Sequence, residues 1–430
     1  MKIYGFPTEN NGCGKYRLWN PLAAIARQGL AEVDREPDAP RPISIERIDE
    51  IFKQHDLIFC QPFNEIFPAC IMMAARDEHK KKLVVDLDDN IWSLHPMNLG
   101  PVKGKLTFLQ TYFDGPFQDF WELIPVSKME ARQYKDRVDG TLVKNEKGEI
   151  NFLHNKRPHV RLAVEFMIQN ADAVTTTNEV LAEVIRRHTE KPVYVLPNCL
   201  DLSEWRKITL DGPVCIGWCG SVSHYPDLKQ ILPGMDKLME RHPEIGMQIM
   251  GASFDYLFPP KKDSNLLPVA GYGLDSMWYT DFKDTGQRWP GRMQFNKPVP
   301  IQEFNEWICS NWCSDIGIAP LDRNDFNDAK SELKWLEYTA IGIPTIASNF
   351  GPYKRAIRHN EDGILVDIPD FWFPALNELV LDAQKREKLV KNATERLHAD
   401  YDIDKKANNW MEVFDCVYSS QAEPVSLEAT

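Results

Sequence analysis

The sequence predicts an α/β protein with two similar halves, each a mostly parallel sheet flanked by helices. Short apolar runs alternate with longer amphipathic ones along most of the 430 residues, a pattern typical of β-α units. The alternation pauses in a turn-rich stretch that starts at Pro197, and then resumes. A chain of this length accommodates two or three domains, so we expect two Rossmann-like halves.

Five strands are predicted in each half, from short runs rich in apolar and β-branched residues. They are Lys2–Phe6, Leu57–Gln61, Lys82–Leu87, Ala173–Thr176 and Val193–Leu196 in the first half, and Val214–Gly217, Gly246–Met250, Ile316–Ala319, Thr345–Ala347 and Ile364–Val366 in the second. Amphipathic spacing predicts helices at Pro21–Gln28, Glu179–Arg187, Lys229–Glu240, Ile301–Ser310, Ser331–Ile341 and Phe373–Glu395.

These elements predict an N-terminal domain over residues 1–197, a linker over 198–212 and a C-terminal domain over 213–395. We expect an irregular, aromatic-rich insertion over about 94–161 of the first domain. Residues 396–430 form a C-terminal helix and tail, with an apolar stripe that includes Trp410 and Phe414. This helix packs either on the N-terminal domain or on its own domain.

Composition argues against several classes of protein. The formal net charge of −13 disfavours a protein that coats nucleic acid, because such proteins are usually basic. No apolar run approaches the roughly 20 residues that span a bilayer, and the N-terminus lacks the apolar core of a signal peptide. The nine cysteines include no Cys-x-x-Cys pair, which indicates neither a disulfide framework nor a zinc ribbon. We therefore expect a cytoplasmic protein.

The predicted insertion carries a local excess of positive charge. Lys128–Arg161 contains nine Lys and Arg residues against five Asp and Glu residues. Such a basic, aromatic-bearing segment could face an anionic acceptor, and it could equally be a solvated helical hairpin.

The stretch from Ser314 to Ser348 carries the most chemical information. It reads as a buried strand, a polar loop, a helix that starts near Ser331 and a turn into another strand. The start of a helix favours phosphate, and Lys330 and Lys334 add cationic donors beside it. Glu337 lies six residues after Ser331, where a carboxylate suits a vicinal diol such as ribose. A salt-bridge partner inside the helix would also explain Glu337.

A glycine-containing loop follows the first predicted strand. Gly12 and Gly14 allow the backbone to approach an anion closely, and Arg17 can pair with phosphate. A tight turn would produce the same sequence.

The stretch 314–348 resembles the donor-site signature of GT-B glycosyltransferases, in particular the large retaining family four. Glu337 matches the second glutamate of the family's Glu-x7-Glu pattern, Leu333 its leucine, and Gly342-Ile343-Pro344 its turn. Ala329 stands in place of the first glutamate, and Lys330-Ser331-Glu332 replace Gly-Phe-Gly. The resemblance implies that Glu337 holds the nucleotide ribose. Asp328 or Glu332 could substitute for the first glutamate, which contacts the donor sugar in the family.

Three further segments resemble the same family. Pro197–Asp201 resembles its linker, Ile216–Ser221 its first strand and loop of the C-terminal domain, and Asn360–Val366 a turn of that domain. The family usually carries an arginine and a lysine here that bind the diphosphate. Trp218 occupies the position of the arginine, and Ser223-His224 lies near the position of the lysine. Binding of the diphosphate is therefore expected at Gly220, Ser221, His224 and Lys330, and an ordinary loop histidine is the alternative for His224.

Acidic residues follow the strand that is predicted to start at Lys82. Asp86, Asp88 and Asp89 could hold a divalent metal, act on an acceptor hydroxyl or cap the next turn. GT-B enzymes generally work without a bound metal. The resemblance therefore favours a role for Asp88 or Asp89 in positioning the acceptor. If the enzyme inverts, either residue could be the base that deprotonates the acceptor. We expect no cofactor and no metal requirement.

The resemblance implies the GT-B architecture, in which two Rossmann-like domains face each other across a cleft. It implies transfer of a sugar from a nucleotide-diphosphate sugar, preferably a UDP-sugar, to a hydroxyl acceptor, with retention favoured over inversion. The acceptor would be a glycan or a lipid-linked sugar. One alternative is a phage-type enzyme acting on hydroxymethylated pyrimidines in DNA, supported by the basic segment. A GT-B-fold epimerase or an inactive nucleotide-sugar binder is another.

Overall fold

The computed structural model describes most of the chain in two units. It describes residues 1–8, 10–36, 44–93, 158–221, 224, 227–228, 230–251, 289 and 291–420, and the strands at 121–125, 140–144 and 150–155. The first unit comprises Met1–Asp88, Leu162–Asp201 and Tyr401–Thr430. The second comprises Asp89–Arg161 and Leu202–Asp400.

Parallel strands form the centre of each unit. In chain order, the strands of the described residues are β1 (Lys2–Phe6), β2 (Glu32–Arg35), β3 (Leu57–Cys60), β4 (Lys82–Asp86), β5 (Trp121–Pro125), β6 (Gly140–Lys144), β7 (Ile150–Asn155), β8 (Ala173–Thr176), β9 (Val193–Val195), β10 (Cys215–Cys219), β11 (Gly246–Met250), β12 (Met293–Asn296), β13 (Ile316–Ala319), β14 (Thr345–Ser348) and β15 (Ile364–Val366).

Helices connect these strands. The α-helices with at least four described residues are α1 (Asn20–Arg27), α2 (Ile45–Gln54), α3 (Ile66–His79), α4 (Pro158–Asn170), α5 (Glu179–Arg186), α6 (Leu232–Arg241), α7 (Phe304–Asn311), α8 (Asp325–Asp328), α9 (Leu333–Ala340), α10 (Gly351–Ala356), α11 (Trp372–Leu381), α12 (Ala383–Asp400) and α13 (Ile403–Ser419). A helical turn at Gly12–Gly14 and a π-helical turn at Lys15–Trp19 precede α1.

The sheet of the first unit is parallel throughout, with the order β2-β1-β3-β4-β8-β9. Its inner strands are apolar and buried, as β3 (Leu-Ile-Phe-Cys) illustrates, because helices on both faces exclude water from them. All five strands predicted for this half are present. The edge strand β2 was not predicted, because its sequence, Glu-Val-Asp-Arg, is mostly charged and exposed.

The second unit has a similar parallel sheet, with the order β12-β11-β10-β13-β14-β15. Its core lies between the sheet and helices such as α6 and α11, and includes the fully buried Trp218 and Met247. The five predicted strands are again present, while the edge strand β12 was not predicted. Two six-stranded parallel sheets with helices therefore confirm the predicted α/β class.

One predicted helix is two helices in the structure. The sequence predicted a continuous helix over Phe373–Glu395, whereas α11 ends at Leu381 and α12 starts at Ala383. Asp382 separates them, and its carboxylate accepts a hydrogen bond from the backbone N–H of Lys385 at 2.8 Å. A side chain that caps new helical N–H groups explains the break.

The predicted irregular insertion contains regular structure. Strands β5, β7 and β6 form an antiparallel three-stranded sheet, where few strands were expected. The structure groups these three strands with the second unit, whereas the sequence assigned the insertion to the first domain. The basic residues Lys128, Arg132 and Lys135 lie outside the described residues.

The C-terminal helix α13 packs on the first unit. The Trp410 and Phe414 rings lie 5.5 and 5.2 Å from the ring of Phe59 on β3, and Leu200 exchanges backbone hydrogen bonds with Tyr401 and Ile403. This is the first of the two packing alternatives that the apolar stripe allowed. Among the described residues, the structure contains no helix with the length and apolar character that crossing a membrane requires.

Candidate functional site

The candidate site of the second unit lies where β10 and β13 end, next to the start of α9. The two strands are paired neighbours, with Ile216 opposite Ile316, and ligands of doubly wound sheets bind at such carboxyl ends. Tyr338 of α9 ties both strands together, because its hydroxyl accepts from the N–H of Cys219 at 3.0 Å and donates to the carbonyl of Ile318 at 3.3 Å. The strand ends and the helix are thus held in one fixed arrangement.

Gly317 is required for this arrangement. A Cβ atom at position 317 would lie 2.5 Å from the ring of Tyr338, which is too close for any ordinary contact. The glycine therefore allows α9 to pack directly on β13.

Two lysines lie at the start of α9. The Lys334 ammonium lies 5.8 Å from the centre of the Trp218 ring, and a Cβ atom at Gly220 would lie 3.2 Å from its Nζ atom. The Lys330 ammonium lies 4.7 Å from the centre of the Phe326 ring. Burial and the charge of Lys330 lower the pKa of Lys334. Two cations that repel each other at a helix N-terminus form an electrostatic environment that favours an anion.

Glu337 is buried in α9, with 6% of its surface exposed. It lies three residues after Lys334, so both face the same side of the helix, and its charge favours the protonated form of Lys334. The sequence allowed that Glu337 is simply the partner of a salt bridge inside the helix, and its attraction to Lys334 agrees in part with that alternative. The site therefore places a buried carboxylate one helical turn beyond a lysine.

The loop after β10 contributes a histidine–aspartate pair. His224 Nδ1 lies 2.7 Å from Asp227 Oδ2, and both side chains are largely buried. Asp227 Oδ1 accepts from the N–H of Asp322 at 2.7 Å and from the side-chain amide of Asn327 at 2.8 Å. Asp227 thus joins the loop after β10 to the loop after β13.

The remaining predicted donor-site residues surround these groups. Ser331, Glu332 and Leu333 are half-buried at the start of α9, Gly220 is half-buried, and Ser221 is exposed. The structure therefore brings the predicted residues of 220–224 and 330–337 into one unit around the ends of β10 and β13.

Ala329 occupies the position of the family's first glutamate, so this chain has no carboxylate there. Ala329 is buried. The Asp328 carboxylate, one predicted substitute, accepts from the guanidinium of Arg355 at 2.7 Å. An aspartate that is held in an ion pair makes a poor sugar ligand, so Asp328 is a weak replacement.

The predicted phosphate role of Arg17 is corrected by the structure. Arg17 is completely buried in the first unit and forms an ion pair with Asp86 at 2.8 Å. Its other donors bind the carbonyl of Leu196 and the side chain of Asn198, and its guanidinium lies 5.0 Å from the centre of the Trp410 ring. Every nitrogen of this guanidinium donates inside the unit and the group is completely buried, so it presents no exposed donor for a phosphate contact.

The glycines before Arg17 are helical rather than an open loop. Gly12 and Gly14 form a helical turn, in which the Asn11 side chain accepts from the N–H of Gly14 at 3.2 Å. The segment is therefore the start of the helical stretch that leads through the π-helical turn into α1.

The three predicted aspartates have different surroundings. Both oxygens of Asp86 bind Arg17, and Oδ2 also accepts from the Thr175 hydroxyl at 2.6 Å. The boundary between the units falls between Asp88 and Asp89. In the second unit, burial raises the pKa of Asp89 while the charge of Lys330 lowers it. The next turn is capped by Asn90, whose side chain accepts from the N–H of Trp92.

Sequence reasoning missed Asp227, Asn327 and the indole of Trp218. Trp218 is completely buried, and its Nε1 donor has no hydrogen-bond partner within the part of the chain that the structure describes. The spacing of Asp227 three residues after His224 was the available signal, because residues at that spacing meet on a helical turn.

Known sequences resemble part of the second unit. Residues 333–396, which start with α9, match the family model of glycosyl transferases group 1. The D-inositol 3-phosphate glycosyltransferase of Paenarthrobacter aurescens (strain TC1) is 36% identical to this chain over 98 residues. That alignment spans 22% of this chain and 22% of the relative, or about a fifth of each.

Solved structures resemble nearly the whole chain. HepE of Anabaena, in complex with UDP and glucose, gives a TM-score of 0.58 at 13% identity and covers 97% of this chain and 100% of HepE. The sucrose-phosphate synthase of Thermosynechococcus elongatus gives a TM-score of 0.57 at 13% identity. The match covers 98% of this chain and 100% of the synthase. The chain has the GT-B fold of glycosyltransferases.

Within this GT-B fold, the family-model match includes Lys334 and Glu337 but not Lys330 or His224. The match therefore runs from α9 into α12 of the second unit. The pair formed by His224 and Asp227 lies outside the matched residues.

Proposed function

We propose that this protein is a glycosyltransferase that moves a sugar from a nucleotide-diphosphate sugar, preferably a UDP-sugar, to a hydroxyl acceptor. The observation that carries the proposal is the convergence of Lys330, Lys334 and buried Glu337 around the start of α9. Lys334 and Glu337 fall within the match to glycosyl transferases group 1. The UDP and glucose bound to HepE support the choice of donor.

The two lysines would bind the diphosphate of the donor. Their charges and the N–H groups of the first helical residues, Leu333 and Lys334, would stabilise negative charge at the start of the helix. Gly220 and Ser221 border the same place from the loop after β10, and Glu337 would accept hydrogen bonds from the ribose hydroxyls. Fixed donors aimed at the leaving diphosphate contribute most where charge develops during bond cleavage.

In the transfer step, the bond between the anomeric carbon and the diphosphate oxygen breaks and a bond to the acceptor oxygen forms. The family resemblance favours retention of configuration. The acceptor proton then passes to an oxygen of the departing diphosphate, and no side-chain base is required. An inverting enzyme needs a carboxylate base, for which Asp88 and Asp89 are the candidates.

Transfer should not require a divalent metal. The resemblance to GT-B enzymes, which generally work without a bound metal, supports this expectation, and Asp86 at the end of β4 is already bound to Arg17 and Thr175. Activity should therefore survive an excess of EDTA. Complete loss in EDTA, with recovery on addition of Mn²⁺, would overturn this proposal.

The proposed acceptor is a glycan or a lipid-linked sugar. Modified DNA is the second candidate, because Lys128–Arg161 carries a positive excess. DNA binding through this segment would weaken with salt by a slope of about 0.7 to 0.9 per phosphate contacted. Replacing Lys128, Arg132 and Lys135 together would remove up to about three phosphate contacts and would lower the slope by that many times 0.7 to 0.9. A glycan acceptor would leave transfer by the triple variant nearly unchanged at every salt concentration.

Release of the nucleoside diphosphate tests the proposed function. A panel of UDP-, GDP- and ADP-sugars is incubated with the protein, with and without mixed glycan acceptors and hydroxymethylated DNA. Acceptor-dependent release of one nucleoside diphosphate is the expected result. Epimerised free nucleotide sugar would indicate the epimerase, while binding without release or transfer would indicate an inactive binder.

A further inference from the structure

The hydrogen bonds around Asp227 determine which nitrogen of His224 carries the proton. Asp227 Oδ1 already accepts two N–H groups, from Asp322 and Asn327, and Oδ2 lies 2.7 Å from His224 Nδ1. Burial raises the pKa of Asp227, while the charge of Lys330 and the N–H groups of Asp322 and Asn327 favour its ionised form. An ionised carboxylate only accepts hydrogen bonds, so Nδ1 donates. In a neutral imidazole the other nitrogen, Nε2, is then an acceptor.

The surroundings keep the ring neutral. Burial lowers the pKa of His224 well below its ordinary value, and the charges of Lys330 and Lys334 lower it further. Nε2 is consequently an acceptor at neutral pH, and it has no hydrogen-bond partner among the described residues. Phosphate oxygens are acceptors as well, so the predicted phosphate contact of His224 does not fit this tautomer. A hydroxyl group does fit.

The position of the ring relates it to the donor site. The Trp218 and His224 ring centres are 6.0 Å apart, with the rings nearly perpendicular. The centre of the same indole lies 5.8 Å from the Lys334 ammonium. Through Asp227 the ring is also tied to Asn327, two residues before Ala329. His224 is therefore linked to Lys334 through the Trp218 ring, and through Asp227 to the loop in which the expected glutamate is absent.

We propose that His224, held by Asp227, accepts a hydrogen bond from a hydroxyl of the donor sugar and takes over the role of the carboxylate missing at position 329. This inference rests on the proposed function, because it requires a nucleotide sugar in the second unit. Asp227 is a positioning residue: it fixes the tautomer of His224 and the loop that contains Asn327.

Two substitutions of His224 separate sugar recognition from a structural role. His224→Asn keeps an N–H group near the Nδ1 position for Asp227 but removes the acceptor at Nε2. His224→Gln places an amide oxygen near the Nε2 position. A purely structural histidine would be replaced better by Asn, whereas a sugar ligand would be replaced better by Gln. Lys334→Met is the matched control, since it removes a proposed diphosphate contact.

The measurement is calorimetric affinity for a nucleoside diphosphate and for its sugar, using UDP with UDP-glucose, UDP-galactose or UDP-N-acetylglucosamine and GDP with GDP-mannose. His224→Asn should weaken binding of the nucleotide sugar about threefold to tenfold while UDP or GDP binds as before, and His224→Gln should recover part of the loss. Lys334→Met should weaken both ligands alike.

Three results would overturn the inference. His224→Asn could weaken the nucleoside diphosphate as much as its sugar, the Asn variant could bind the sugar as well as the wild type, or the wild type could bind the diphosphate but no nucleotide sugar. Failure of the proposed function is distinguishable, because the wild type would then bind neither a nucleoside diphosphate nor any nucleotide sugar.

Discussion

Glu337 is a carboxylate in the interior of a helix whose neighbouring residues Trp335, Leu336 and Tyr338 are also buried. Burying an ionised group is unfavourable unless it has strong polar partners. A ligand with two adjacent hydroxyls supplies such partners in addition to Lys334. This side chain therefore gives the donor proposal its sharpest test at the scale of one residue.

Glu337→Ala should weaken binding of the nucleoside diphosphate about tenfold to more than a hundredfold. The reason is the loss of hydrogen bonds to a charged group, which contribute roughly 1.5–3 kcal/mol. Calorimetry measures the affinity, and circular dichroism checks the fold. Glu361→Ala, an exposed position of the same unit, is the control and should bind normally. Unchanged affinity in a folded Glu337→Ala protein would refute the assignment.

Arg17→Met should destabilise the protein by about 3–5 kcal/mol, because it leaves the Asp86 carboxylate buried without its partner. Unfolding in urea measures this loss. Arg27→Met is the control: the Arg27 side chain is 42% exposed in its ion pairs with Asp201 and Asp404, and such pairs contribute up to about 1 kcal/mol. Normal stability of Arg17→Met with lost nucleotide binding would instead restore the phosphate role.

These two residues show what a sequence conveys about a site. The helical position of Glu337 was predictable because its spacing from Leu333 and Gly342 is local, while its role toward a ribose stays a prediction. The role of Arg17 was not, because its partners Asp86 and Asn198 are 69 and 181 positions away. The glycines beside it suggested phosphate, whereas the fold buries the guanidinium.

Secondary structure elements were predictable where their burial requires a regular pattern of apolar residues. The inner strands are continuous apolar runs, and β1, β8, β11, β13 and β15 have the predicted bounds. The edge strands β2 and β12 contain polar residues that resemble a loop. The break between α11 and α12 depends on a hydrogen bond of the Asp382 side chain, which apolar spacing does not report.

The C-terminal helix α13 gives a prediction at the scale of an element. Trp410→Ala should destabilise the protein by about 3–5 kcal/mol, because it opens a cavity beside Phe59 and Arg17. Thermal and urea unfolding measure the change. Glu412→Ala, exposed on the same helix, should change stability by less than about 0.5 kcal/mol. Equal stability of the two variants would mean that α13 contributes little to the first unit.

At the scale of the whole molecule, the first unit is assembled from three separate stretches of chain and the second from two. The sequence predicted consecutive domains, because the turn-rich stretch at Pro197 is a local signal. The return of residues from Tyr401 onwards to the first unit was visible only as an apolar stripe with two possible partners. The grouping of strands β5, β6 and β7 with the second unit had no local signal.

The central claim is that a nucleoside diphosphate binds to the second unit at the start of α9. Hydrogen exchange with and without saturating UDP tests it most directly, because bound ligand slows the local opening of the backbone that it contacts. Exchange should slow most in peptides from residues 216–221 and 330–341, and Glu337→Ala should show much less slowing at the same UDP concentration. Slowing confined to residues 12–19 and 86–88 of the first unit would contradict the claim.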